Sequence, residues 1–149
     1  MNSITNASLY LTRYPSDLAK VLPHAKSDAG LLRKQTRVDF IIARQAISFT
    51  FMPKAEMEEH LRGLAGFMKH LKDQQVNPAS QIRTAMEIIP KIKCVLGGQF
   101  SRPFEFQSEV TQMLFVVAHH YQGYVFMLNS MFASDMTTVC GPTTISAGA

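Results

Sequence analysis

Five histidines and two cysteines carry most of the side-chain chemistry this chain offers. His119 and His120 are adjacent. Neighbouring residues on a helix point about 100° apart, so this pair cannot grip one metal ion, which takes ligands spaced three or four residues apart. His119 falls on the polar side of the helix expected around it, and His120 falls toward the apolar margin. Histidines near a helix C-terminus also gain from the macrodipole without any catalytic task. Of the two, His120 is the better acid–base candidate, because partial burial would perturb its titration.

Cys94 and Cys140 have the spacing of neither a zinc site nor a disulfide framework, and both read as buried free thiols in a reducing compartment. Cys94 with His119 or His120 makes a weak thiol–imidazole candidate. Against it, Cys94 alternates with Ile92 and Leu96 as a core residue does. Glu56 and His60, four apart, fit a surface pair better than acid–base work. Gly97-Gly98 reads as the end of a strand and lacks the glycine patterns that cradle phosphate. No catalytic, metal or cofactor motif stands out, so no cofactor or metal is expected.

These residues need elements to hold them. Ser8–Tyr14 reads as a strand stopped by Pro15, and Ser16–Gly30 as a connection with a short helix from Asp17 to Leu22. Arg37–Ala43 and Ala46–Met52 alternate with period two, a hairpin turning near Arg44-Gln45. After Pro53, Met57, Leu61, Leu64, Met68 and Leu71 form one apolar helix stripe. Gly63 and Gly66 interrupt it, each costing ~1 kcal/mol against alanine, either for close packing on the sheet or as an unforced cost. A second helix is expected over Ala79–Ile89, a strand over Lys91–Leu96 and a Phe-rich loop over Gln99–Phe106.

Gln107–Gln122 reads as a third helix, with Val110, Met113, Leu114, Val117, Ala118 and Tyr121 on its apolar side and Val116 at that side's margin. Phe115 falls on the wet side. Gly123 suits the left-handed position that ends a helix. Tyr124–Leu128 follows as a strand apolar on both faces, then a turn at Ser134-Asp135 and a short strand at Thr137–Cys140. The order implies an α+β class: a mixed, mostly antiparallel sheet with about three helices packed on one face, a two-layer sandwich. Residues 1–149 read as a single domain, with 141–149 a flexible tail.

Charge is unevenly spread over the 149 residues. After Arg102 no lysine or arginine occurs, and only Glu105, Glu109 and Asp135 are charged, whereas Arg33, Lys34, Arg37 and Arg44 concentrate cations early. The net charge of +4 permits an anionic partner, but no cationic run or aromatic platform accompanies it, so nucleic acid is an unfavoured partner. No apolar run approaches the ~20 residues of a membrane span, and no secretory leader is visible, so a cytoplasmic, membrane-free protein is expected.

The leading functional expectation is a non-enzymatic binding domain that meets a protein partner or a second copy of itself. Apolar groups at positions that should be wet mark such a contact: Phe115 beside His119, and Met131-Phe132 near a turn. Arg37 and Arg44 form a secondary electrostatic site. One alternative is a ligand or catalytic pocket between the sheet and the third helix, lined by Cys94, His120, Tyr121 and Tyr124. Another is anion or nucleic-acid binding through the basic N-terminal third.

Overall fold

Leu9 and Leu11 point to one side of their strand and Tyr10 to the other, and this alternation gives the molecule two cores. The computed structural model describes residues 3–15, 18, 37–42, 44–75 and 77–142. Its elements are β1 (Ser3–Ile4), β2 (Ala7–Leu11), β3 (Arg37–Ile42), β4 (Gln45–Phe51), α1 (Lys54–Asp73), α2 (Ala79–Ile88), a 3-10 turn (Ile89–Lys91), β5 (Cys94–Phe100), β6 (Phe104–Glu105), α3 (Glu109–His120), β7 (Tyr124–Met127), β8 (Ser130–Ala133) and β9 (Thr138–Cys140). The expected helix over Asp17–Leu22 lies, apart from Leu18, outside the described residues, as do Arg33, Lys34 and residues 143–149 of the tail.

Seven strands form one antiparallel sheet in the order β3-β4-β5-β2-β7-β8-β9, and β1 pairs with β6 in a separate two-stranded ladder. The α+β class, the antiparallel sheet and, among the described residues, the three helices α1, α2 and α3 are as the sequence implies. The helices divide between the two faces of the sheet, where the sequence reading gathers them on one. Val110, Met113, Leu114, Val117 and Ala118 of α3 pack with Leu9, Leu11, Phe49, Leu96 and Val125. Leu64, Met68 and Leu71 of α1, with Ile82, Ala85 and Ile88 of α2, pack with Tyr10, Val95, Met131 and Cys140. A strand that is apolar on both sides needs cover on both sides, and β2, β5 and β8 are such strands. Ser48 and Thr50 of β4 are half-exposed, so on the α1 side the sheet is left partly open toward β3.

α1 starts at Pro53, where a missing N–H costs nothing, and carries Glu56 in its first turn with His70 and Lys72 in its last, matching the helix dipole. α3 is capped by Ser108, whose Oγ accepts from the Thr111 amide.

Three expectations are corrected here. Gly97-Gly98 does not end a strand: both residues lie inside β5, where a Cβ on Gly98 would sit 2.9 Å from the Ala7 carbonyl oxygen. Gly123 is not the left-handed residue after α3. Gln122 takes that conformation (φ 52), its N–H reaches the His119 carbonyl at 3.3 Å, and the Gly123 N–H reaches that of Ala118 at 2.7 Å. These are the paired bonds of a Schellman ending. Gly123 serves instead for close approach, since a Cβ there would meet the Tyr10 carbonyl oxygen at 2.6 Å.

Third, Met131 and Phe132 lie close to the expected turn at Ser134-Asp135, but they are buried and not exposed. They lie in β8, which a two-residue turn at Leu128-Asn129, both left-handed, joins to β7. Among the described residues, no helix is long and apolar enough to cross a membrane.

Candidate ligand cleft

β4, β5 and β2 are neighbours, and all three leave the sheet at the same end. Their ladders run slightly past the strands: the Met52 amide donates to the Val95 carbonyl at 2.9 Å, and the Lys93 amide to that of Leu11 at 2.8 Å. Beyond those bonds the chain diverges. Pro53 turns β4 into α1, the 3-10 turn delivers Ile92 to the start of β5, and Tyr14 trails β2 before Pro15. The divergence opens a cleft of about 740 Å³, lined chiefly by Tyr14, Phe51, Met52, Met57, Ile92 and Cys94, with Lys54, Lys93 and Glu58 as its charged groups. That volume falls in the range that small-ligand sites occupy.

The floor is apolar and does not ionise near neutrality. Tyr14 leans on Phe51 with ring centroids 5.9 Å apart. Burial pushes the Cys94 thiol up to about 12, so it stays protonated and is a poor nucleophile. Burial also raises the Tyr14 hydroxyl. At the rim, Glu58 accepts from Arg62 at 3.2 Å. The arrangement suits holding an apolar group and offers no acid–base pair.

A second cleft, about 350 Å³, lies between α1 and the sheet, bounded by Tyr10, His60, Gly63, Leu64, Phe67, Phe126 and Asn129. The Tyr10 hydroxyl forms a 2.9 Å hydrogen bond with His60 Nε2 on its wall. A third, about 410 Å³, takes in His119, His120 and Tyr124 with Ala133 and Ser134.

The residues expected to act are dispersed. Cys94 opens into the first cleft and His120 into the third, and Tyr121 is buried, so the proposed Cys94, His120, Tyr121 and Tyr124 pocket is not assembled. Phe115, Met131 and Phe132 are buried, which removes them as an exposed contact beside the exposed His119. The Phe115 ring packs 6.3 Å from both Phe106 and Phe132, because the loop before α3 folds over the helix flank.

Arg37 and Arg44 stand at opposite ends of β3, on the order of 20 Å apart at strand rise, so they make no common patch. Arg37 pairs with Asp39 at 2.7 Å, and Asp39 also accepts from Ser48 across the ladder. Cys140 is buried, its Sγ 3.4 Å from Met68 Sδ, and burial pushes its thiol up to about 11. Among the described residues, no three histidine, cysteine or acidic side chains are grouped to hold a metal.

Sequence reasoning missed Tyr14, Met52, Met57, Ile92 and Lys93 as one group. Three prolines (Pro15, Pro53 and Pro90) marked the places where strands and turns break. What was not readable was that β4, β5 and β2 lie side by side. No family model, curated protein or solved structure matches the chain.

Proposed function

We propose that this chain is a non-enzymatic binding domain that takes a small, largely apolar ligand in the cleft between Tyr14, Phe51, Met57 and Cys94. One observation carries the reading: the cleft of about 740 Å³ at the shared end of β4, β5 and β2 has an apolar floor and a thiol held protonated by burial. Titration with the neutral fluorophore 1-N-phenylnaphthylamine tests it. Saturable binding at one site per chain is expected, weakened at least tenfold by Met57→Glu. Absence of saturable binding, or binding that Met57→Glu leaves unchanged, overturns it.

A second reading, association with a protein partner or a second copy, is favoured by the edge of the sheet. Among the described residues no strand pairs with the outer side of β3, and Ile41 on that strand is 38% exposed. Light scattering after gel filtration should then give a mass above 16.7 kDa that falls to it in Ile41→Lys. A wild-type chain already at the monomer mass removes self-association.

A further inference from the structure

The mouth of the same cleft is electrostatically one-sided. Lys54 and Lys93 both border it. Among the described residues that line it, the one carboxylate, Glu58, is already engaged by Arg62 at 3.2 Å. Among the described residues, neither lysine has a carboxylate partner. The N-terminus of α1 lies at the cleft as well, with Pro53 in the cap position and no side-chain cap on the first amides. A 20-residue helix presents partial positive charge at that end. Lysine at the first position of a helix is the wrong sign for the dipole, and an anion seated there would relieve both charges at once. Behind this cationic rim the described lining residues, Tyr14, Phe51, Met52, Met57, Ile92 and Cys94, add no further charge.

We infer that the ligand is an anionic amphiphile, a free alkyl carboxylate whose chain lies on the apolar floor and whose head sits between Lys54 and Lys93. This rests on the cleft being a ligand site, and it adds the sign and position of the head group. An alkyl chain without a charge leaves the two ammonium groups unpaired, and a cationic head meets them with like charge. The site therefore discriminates among amphiphiles of equal chain length by charge.

The experiment uses the full chain loaded with 1-N-phenylnaphthylamine and displaces it with decanoate and decyltrimethylammonium below their critical micelle concentrations and with decanol below its solubility limit. Decanoate should bind at least tenfold more tightly than decanol, and decyltrimethylammonium more weakly than either. Lys54→Gln and Lys93→Gln should each cut the preference for decanoate over decanol several-fold, and together abolish it. Raising the salt concentration should shrink the preference in the wild-type chain.

Equal affinity for decanoate and decanol overturns the anionic assignment while leaving the apolar cleft intact. So does a preference that survives the double lysine variant. Failure of the neutral fluorophore to bind overturns both the cleft and its head-group site.

Discussion

The Tyr10 hydroxyl and Nε2 of His60 lie 2.9 Å apart in a hydrogen bond, with their rings stacked at 5.8 Å between centroids. Tyr10 is 2% exposed, and burial pushes its hydroxyl up to about 12, so it remains a neutral phenol that needs a partner. His60, on the half-exposed flank of α1, supplies it. His60→Leu should therefore cost about 1–3 kcal/mol, the penalty of a buried polar group left unpaired. Adding Tyr10→Phe should recover most of that loss, because the orphaned hydroxyl goes with it. Urea denaturation of the two single variants and the double variant measures the coupling. A His60→Leu variant as stable as the parent would contradict the account.

The glycines divide into two kinds, with opposite signs expected on substitution. A Cβ at Gly63 or Gly66 would meet nothing within 4 Å, so these residues weaken α1 with no packing gain, and the close-packing explanation drops out. Gly66→Ala should stabilise the protein by about 1 kcal/mol. Gly123→Ala should destabilise it instead, since its Cβ would collide with the Tyr10 backbone. Gln122→Gly, at the left-handed position that closes α3, should be neutral to stabilising. Thermal midpoints of the three variants decide the matter. The same sign for Gly66→Ala and Gly123→Ala would refute the distinction.

Periodicity located most of this fold. The β3–β4 hairpin, the Met57 to Leu71 stripe and the main body of α3 all follow from short-range spacing, which the chain carries locally. The helix distribution did not follow. Whether Tyr10 or Leu9 faces a given helix depends on which strands are neighbours, a long-range fact. β8 escaped because it has four residues, and its turn uses Leu128-Asn129 in place of the Asn-Gly that marks such turns. The cleft escaped for the same long-range reason, since Tyr14, Met57 and Lys93 belong to segments far apart in sequence. Cys94 was rightly read as a core position; its opening onto a cleft depends on Pro53 and the Ile89–Lys91 turn diverging beside it.

Phe115 and Val116 sit next to each other with reversed roles relative to the helical wheel. Phe115 is 5% exposed and Val116 is 54% exposed. Phe115→Ala should cost about 3–5 kcal/mol, as for other large-to-small changes in a core, and Phe115→Asp should prevent folding. Val116→Asp should change stability by less than about 0.5 kcal/mol, as at an ordinary surface position. Circular dichroism with denaturant titration separates the pair, and a tolerated Phe115→Asp would show that the ring lies outside the core.

The two thiols make stability fall at alkaline pH. Cys94 and Cys140 ordinarily ionise near 9.0, and burial moves them to about 12 and about 11 in the folded chain. Below pH 9 both states hold these protons and the thiols add no pH dependence. Between pH 9 and about 11, the unfolded chain releases protons that the native chain keeps. Rising pH then favours unfolding, and stability declines across that window. Tyr10 acts in the same direction from its ordinary 10.0 upward. Lysine deprotonation overlaps this range, so the informative quantity is a difference between variants. Cys94→Val should flatten the decline between pH 8.5 and 10.5 relative to the parent chain. If urea titrations give parallel pH profiles for the parent and Cys94→Val, the Cys94 thiol does not titrate differently in the native and unfolded chains.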